Sequence, residues 1–237
     1  MHALRPHLHI ARRVIISNVW LLEDGFGRRF VVDTGHMLER YTLKKSLWDA
    51  GIRAKGDVTA ILLTHRHSDH AGNAGYLREL LDAPVVCHQD DAPFLDGTAA
   101  PARLARGGAN LYEEALSHVE DTFPARSTVD EAVAEGAWKH GLRFHHVPGH
   151  TEGSVLIHHE PTGTLFSGDA ILTGIPAIPL LEKLRLAVPG FSLDVERCHA
   201  RVREVVAQLP PVTAVAAGHG PAVLREATRK LARLVAG

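Results

Sequence analysis

The amino-acid sequence predicts an α/β fold, because short β-like runs alternate with amphipathic helical segments along nearly the whole chain. The composition agrees with this prediction, since 45% of the 237 residues are hydrophobic and α/β folds of this length commonly form one unit. Histidine and aspartate clusters also follow several β-like runs, where α/β proteins often place their functional sites. We therefore expect one domain spanning residues 1–237, with a site at the ends of strands.

The strands are predicted from short runs of aliphatic and β-branched residues that are bounded by glycine, proline and other turn residues. Several of these runs are apolar throughout, as expected for strands buried on both faces. The predicted strands, in chain order, cover residues 14–22, 29–32, 58–63, 84–88, 142–147, 154–158, 164–166 and 213–216.

The helices are predicted from apolar residues that recur at helical spacing, most plainly in the last two segments of the chain. The predicted helices cover residues 40–50, 71–81, 110–122, 195–208 and 221–235. The third of them lies in a helical insert at about 90–130. A second insert, 172–190, is too apolar to lie free in water. It is either a lid over a hydrophobic pocket or a surface that packs on the core or in a homodimer.

Charge and hydropathy exclude several classes of partner. The chain has 26 basic and 27 acidic residues, so its overall charge favours neither nucleic acid nor an anionic membrane. It contains no apolar run long enough to span a bilayer, and residues 1–6 do not begin a secretory signal. Cys87 and Cys198 do not form a disulfide framework or a thiolate metal site. We expect a cytoplasmic protein that acts on a small-molecule substrate.

Residues 64–70, Thr-His-Arg-His-Ser-Asp-His, are the strongest functional signal. His65 and His67 are two residues apart in an extended segment, so both imidazoles can reach one cation. Asp69 and His70 point elsewhere, at the start of a predicted helix. Burying this many ligand-type side chains at one strand end costs free energy unless a cation binds them. The cluster therefore indicates one or two divalent metal ions.

Three later segments each place a ligand-type residue beside glycine: Pro-Gly-His150-Thr, Ser-Gly-Asp169-Ala and Ala-Gly-His219-Gly. Glycine allows the backbone to approach a crowded site closely. Near the start of the chain, Asp33 lies in Asp-Thr-Gly directly after a predicted strand. It either orients a loop or a ligand histidine or is a simple turn residue.

Together, these five motifs resemble, in content and chain order, the metallo-β-lactamase-fold hydrolase superfamily, over about residues 14–221. The resemblance implies a four-layer αββα sandwich, in which two mixed β-sheets pack face to face between outer helices. It also implies two divalent metal ions, with Zn as the first expectation and Fe or Mn as alternatives. The implied ligands are His65, His67 and His150 for one ion, Asp69, His70 and His219 for the other, and Asp169 as a bridge.

In this superfamily a hydroxide shared by the two metals attacks a carbonyl or phosphoryl centre, and a metal polarises the oxygen of that centre. For Asp69 two roles are open: it is a ligand only, or it also orients the hydroxide or passes a proton to the leaving group. The superfamily's true β-lactamases lack an aspartate at the bridging position, so Asp169 argues against β-lactam hydrolysis as more than a minor activity.

The branch with glyoxalase II and the quorum-signal lactonases is the nearest in metal motifs. Too few residues follow His219 for the helical domain of glyoxalase II, and the segment after Asp169 lacks the tyrosine of the lactonases. The resulting prediction is a dinuclear hydrolase of an ester, lactone or thioester with an apolar acyl part. The alternative is a mononuclear iron persulfide dioxygenase, which needs only His65, His150 and Asp169 as ligands.

The remaining histidines are less informative. His88 follows a predicted core strand. It either lines the pocket or is partly exposed with its hydrogen bonds satisfied, and we expect the second. The neighbours at 145–146 and 158–159 fall on strands, where alternation sends adjacent side chains to opposite faces. Such neighbours are poor candidates for binding one metal ion as a pair.

Overall fold

The computed structural model describes residues 1–100, 120, 122–174 and 183–236. Its larger sheet has seven strands that lie side by side in chain order. The first four strands pair antiparallel, and the fourth to the seventh pair parallel. These strands are β1 (His2–Arg5), β2 (Leu8–Ile10), β3 (Trp20–Glu23), β4 (Arg29–Val32), β5 (Ala60–Leu62), β6 (Val85–His88) and β7 (Glu131–Val133).

The second sheet has five strands in the order β14-β11-β10-β9-β8, and only β14 and β11 pair parallel. Its strands are β8 (Gly136–Ala137), β9 (Leu142–His146), β10 (Val155–His159), β11 (Thr164–Gly168) and β14 (Ala214–Ala217). A two-stranded ribbon of β12 (Ile171–Leu172) and β13 (Arg185–Leu186) follows β11.

Helices lie outside the two sheets. They are α1 (Arg40–Asp49), α2 (Ser68–Ala71), α3 (Ala74–Leu81), α4 (Ala92–Asp96), α5 (Val195–Gln208) and α6 (Ala227–Ala236), with short 3-10 turns at Met37–Glu39, Lys139–Gly141 and Pro189–Phe191. Among the described residues, every helix is too short or too polar to cross a membrane.

Three hydrophobic clusters define the layers. The central one lies between the sheets and holds the largest buried rings, Trp20, Phe30, Phe144 and Phe166. The second joins the other face of the larger sheet to α1 and α3, and the third joins the other face of the smaller sheet to α5 and α6. Two mixed sheets between outer helices are the four-layer αββα arrangement that the sequence predicted, so the predicted fold class is confirmed.

The helix α5 has the predicted bounds because both of its sequence signals are strong. The carboxylate of Asp194 accepts a hydrogen bond from the backbone N–H of Arg197, 3.0 Å away, and so caps the first turn. Cys198, Val202 and Val205 then recur at helical spacing and are buried against the smaller sheet.

Other bounds differ from the prediction. The first predicted strand, 14–22, is a strand only over Trp20–Glu23, because Arg13 has a positive φ of 65° and the backbone N–H of Asn18 donates to Gly218 instead of to a strand. The last predicted helix starts later, at Ala227, because Val223 forms an isolated β-bridge with Val215. Most of the predicted helix 110–122 lies outside the described residues.

Buried histidines in the smaller sheet predict a loss of stability in acid. No hydrogen-bond partner for either ring nitrogen of His158 is found in the described part of the chain, and burial lowers its pKa to about 4. The unfolded chain binds this proton near pH 6.5. Because the folded chain binds it only near pH 4, the free energy of unfolding is expected to fall as the pH is lowered through that window.

Thermal unfolding from pH 7.5 down to about 4.5 measures this effect, since linkage makes the melting temperature follow proton uptake. His158→Leu should reduce the slope of melting temperature against pH, and His2→Leu on the exposed first strand should not. Equal slopes in the wild type and His158→Leu would show that His158 does not contribute.

Candidate metal centre

The seven predicted ligands lie at one edge of the sandwich, where loops from both sheets meet. His65 and His67 follow β5, and the adjoining helix α2 carries Asp69 and His70. His150 lies in the loop between β9 and β10. The last two follow adjacent parallel strands: Asp169 comes directly after β11, and His219 comes two residues after β14. Each sheet therefore supplies one part of the centre.

His65, His67 and His150 form the first cluster. The Nε2 atoms of His65 and His150 are 3.2 Å apart, and the ring centroids of His67 and His150 are 4.6 Å apart. All three side chains are buried. One ring nitrogen of each histidine lies within 4.8 Å of the corresponding nitrogens of the other two, so the three can reach one ion.

Asp69, His70 and His219 form the second cluster. The Nε2 atoms of His70 and His219 are 3.4 Å apart, and Asp69 Oδ2 is 3.3 Å from Nε2 of His219. Asp169 lies between the clusters: its Oδ1 is 3.3 Å from His70 Nε2, and its Oδ2 is 3.8 Å from His150 Nε2. One carboxylate thus faces both clusters, which is the geometry a bridging ligand needs.

Two observations show that these residues fit metal ions. Nitrogen and oxygen ligands lie about 2.0–2.2 Å from zinc, so in tetrahedral geometry two of them are roughly 3.3 Å apart, close to the spacings found here. His67 Nε2 and Asp169 Oδ1 are also buried, and the described residues give neither a hydrogen-bond partner. Buried polar atoms without a partner are costly, and a bound cation would satisfy both.

Neighbouring oxygens face the Nδ1 atoms of three predicted ligand histidines. The Nδ1 atoms of His65, His70 and His150 lie within hydrogen-bond distance of oxygens of Thr64 (3.1 Å), Asp33 (2.9 Å) and Ser192 (3.1 Å), respectively. If Nδ1 carries the proton and donates it, Nε2 keeps its lone pair for a metal ion.

Asp33 links the loop of His65 and His67 to the larger sheet. Its Oδ1 accepts the backbone N–H of Thr64 at 2.8 Å, and its Oδ2 accepts the Thr64 hydroxyl at 2.8 Å and faces His70 Nδ1. It is buried and has a positive φ of 57°, a conformation that aspartate and asparagine tolerate better than most residues. Of the two interpretations of Asp33 from sequence, orientation of a loop and of a ligand histidine agrees with these contacts.

The electrostatics differ between the clusters. Burial lowers the pKa of His65 and of His67 well below the ordinary value, so both rings are neutral ligands at pH 7. Burial also opposes charge on His70, but Asp69 and Asp169 outweigh it and raise the pKa of His70 well above its ordinary value. The second cluster therefore favours positive charge, as a cation site requires.

Gly218 lies so close to Asp169 and His70 that a residue with a side chain would displace them. An added Cβ would lie 2.2 Å from Asp169 Oδ1 and 2.6 Å from His70 Cε1. Gly218→Ala is therefore expected to displace both side chains and to lower metal affinity by at least about tenfold. Gly25→Ala is the control, since nothing lies within 4 Å of its added Cβ. Metal content after dialysis measures the effect, and equal content in both variants would contradict it.

Two carboxylates beside the centre had no sequence signal, because each lies outside the five motifs. Asp91 is buried and accepts hydrogen bonds from the backbone N–H groups of Arg66 (2.9 Å) and Gly153 (2.7 Å) and from the Thr151 hydroxyl (2.9 Å). It thereby joins the loop of His65 and His67 to the loop that follows His150.

Glu120 is the second such carboxylate. Its Oε2 accepts the backbone N–H of Ser68 at 2.7 Å and so caps the short helix that carries two predicted ligands. Burial raises the pKa of the Glu120 carboxyl group to about 7. A carboxyl group with such a pKa can exchange a proton near neutral pH beside the centre.

The two inserts are described only in part. Within the predicted insert at 90–130, the structure gives the helix α4 and the segment 122–130, and residues 101–119 and 121 lie outside the described residues. Within 172–190, residues 175–182 lie outside them as well. The lid, the homodimer contact and the single-domain boundary stay predictions.

Comparison with known proteins agrees with the geometry. Residues 12–219 match the model of the Metallo-beta-lactamase superfamily. The chain is 29% identical over 211 residues to the probable metallo-hydrolase YybB of Bacillus subtilis (strain 168), covering 87% of this chain and 82% of the relative. It is 31% identical over 164 residues to a hydroxyacylglutathione hydrolase of Ectopseudomonas mendocina, covering 66% of this chain and 48% of that protein.

Among solved structures, the chain is similar to TTHA1623 in a di-iron-bound form, with a TM-score of 0.63 and 26% identity over 92% of this chain and 93% of the other. The family match covers most of the chain and includes every predicted ligand position. With its two mixed sheets and its histidine and aspartate clusters, the chain belongs to the metallo-β-lactamase superfamily.

Proposed function

We propose that the protein is a dinuclear metal-dependent hydrolase that cleaves an ester, lactone or thioester with an apolar acyl part. The observation that carries the proposal is the position of Asp169 between two clusters of ligand-type side chains. His65, His67 and His150 would hold one ion, Asp69, His70 and His219 the other, and Asp169 both. When bound, divalent ions lower the pKa of a coordinated water and polarise the oxygen of a substrate carbonyl.

The protein's own residues would position these parts. Asp33 and Thr64 place oxygens against Nδ1 of His70 and of His65, which favours the tautomer that leaves Nε2 free. Asp69 is more exposed than the other ligand-type residues, at 25% of its side chain, so its carboxylate can meet a substrate as well as a cation. Glu120, beside the same short helix, could return a proton to the leaving group.

Exposed apolar side chains near the centre support an apolar acyl part. Ile15 is 77% exposed and Leu38 is 81% exposed. Both carboxylate oxygens of Glu39 accept backbone N–H groups of residues 15 and 16, which holds the two segments together. Ser17 donates to the backbone carbonyl of Asp69, so this apolar rim adjoins the centre. A hydrophobic acyl group would cover it.

A thioester is the bond with the most support from relatives. One relative is named a hydroxyacylglutathione hydrolase, and such a substrate carries its acyl group on the glutathione sulfur. The similar structure in a di-iron-bound form supports a paired centre and makes iron a candidate beside zinc. Imidazole and carboxylate ligands accept Zn, Fe or Mn, so the supply of metal decides among them.

Elemental analysis and a substrate panel test the proposal on one sample purified without added metal. The panel consists of lactones, esters and thioesters with acyl chains of increasing length, and a β-lactam is included. About two ions per chain and hydrolysis that rises with acyl length are expected. One iron per chain with oxygen consumption on a persulfide would overturn the proposal in favour of the dioxygenase.

A further inference from the structure

A second group of metal-ligand side chains lies outside the paired centre. It consists of His88, Asp90 and His146, whose ligand atoms lie within 4.8 Å of one another. His88 ends β6 in the larger sheet, and His146 ends β9 in the smaller one. The sequence prediction of a partly exposed His88 is wrong, because its side chain is only 2% exposed.

The geometry suits one cation. Asp90 Oδ2 is 3.7 Å from Nδ1 of His88 and 3.6 Å from Nε2 of His146. Both distances are too long for hydrogen bonds and close to the roughly 3.3 Å that separates two ligands of a tetrahedral zinc ion. The same kind of spacing occurs in the paired centre, where Asp69 Oδ2 is 3.5 Å from Nε2 of His70.

The two imidazoles lie side by side at this position. Their rings stack with centroids 3.9 Å apart and planes 18° apart, and one nitrogen of each ring lies within 3.7 Å of Asp90 Oδ2. The rings therefore need only to tilt toward each other for both lone pairs to meet at one ion. Burial lowers the pKa of His88 to about 4, and a neutral ring is the form that binds a metal. Asp90 is 46% exposed at the side chain, so a cation can enter from solvent on that side.

Two hydrogen bonds compete with a cation at this position. The backbone N–H of Asp90 lies 3.2 Å from Nδ1 of His88, and Nε2 of His146 lies 2.9 Å from the carbonyl oxygen of Glu152. Binding requires His88 Nδ1 to give up the first and the proton of His146 to move from Nε2 to Nδ1. This exchange moves a proton within one ring and leaves the other ring nitrogen of each histidine available for a hydrogen bond.

We propose that His88, Asp90 and His146 form a third divalent-metal site, separate from the paired centre, that takes a Zn²⁺-type ion and cross-links the two β-sheets. Two imidazoles and one carboxylate are a ligand set that zinc accepts, with water in the fourth position. Because the ligands come from different sheets, the bound ion is expected to raise the melting temperature.

Equilibrium dialysis of the metal-free full chain against Zn²⁺ tests the site. The wild type should bind one more equivalent than His146→Gln, and Asp90→Asn should weaken that equivalent. His145→Gln is the matched control. His145 is adjacent to His146 on the same strand, so its side chain points to the opposite face and its replacement should leave zinc binding unchanged. Equal stoichiometry in the wild type and His146→Gln would overturn the proposal.

The difference between variants keeps this test independent of the proposed function. The zinc bound by the paired centre is the same in the wild type and in His146→Gln, so it cancels in the difference of their stoichiometries. The melting temperature gives a second measurement: excess Zn²⁺ should raise that of the wild type more than that of His146→Gln. An identical rise in both, together with equal stoichiometry, would assign all bound zinc to the paired centre.

Discussion

Replacing Asp169 by asparagine is expected to remove paired metal binding and to lower hydrolysis by about 1,000-fold or more. Asparagine has one oxygen that can bind a metal and no negative charge, so it cannot bridge the clusters that Oδ1 and Oδ2 face. Lewis-acid stabilisation is worth several kcal/mol, and each 1.36 kcal/mol corresponds to about a factor of ten in rate.

Metal content and kcat/KM of the same preparation measure this effect. Asp49→Asn, on the exposed side of α1, changes the same functional group far from the centre and should keep both values. Full activity with two ions bound in Asp169→Asn would contradict the bridging role. Loss of activity with two ions still bound would instead limit Asp169 to the chemical step.

The substitution Asp33→Asn is expected to weaken metal binding at the second cluster by about 10–100-fold while the first cluster keeps its ion. The asparagine amide can still accept the N–H of Thr64 through its oxygen, but its NH₂ group would face Nδ1 of His70. Two donors cannot pair, so the proton of His70 would shift to Nε2, the atom that should bind the metal.

Asparagine also tolerates the positive φ of 57° at this position, so the backbone conformation should be retained. Asp82→Asn is a matched control, because Asp82 has a positive φ of 53° but lies exposed at the end of α3. Metal titration should show one weakened equivalent in Asp33→Asn only. Equal affinity for both equivalents in the two variants would contradict the role of Asp33.

The sequence predicted the layers of the fold because burial imposes a regular pattern on it. Strand β4 has the predicted bounds, and helix α5 does as well, since apolar residues and an end signal coincide in each. Strands β1 and β2 were missed because alternating histidine and apolar residues at 2–10 give little sign of burial. Their position follows from the pairing of β2 with β3 and of β1 with β2, which no local pattern predicts.

The candidate site also has a part that the sequence predicted and a part that it did not. The ligand-type residues were predicted because they occur in motifs beside glycine, and the structure brings all seven together. Their supporting residues were not predicted: Asp91, Glu120 and Ser192 contact the centre through chain reversals that no local pattern encodes. The meeting of His88 and His146 likewise depends on how the two sheets pack, and strand periodicity describes only one sheet at a time.

The hydrogen bonds of Asp91 give the loops of the candidate metal centre a support that does not depend on a metal. They join the two loops that carry His65, His67 and His150 through backbone and hydroxyl groups, and no metal takes part in these bonds. A chelator is therefore expected to empty the proposed centre without unfolding the chain. The same polypeptide would then accept zinc, iron or manganese in turn, so that these ions could be compared on one unchanged scaffold.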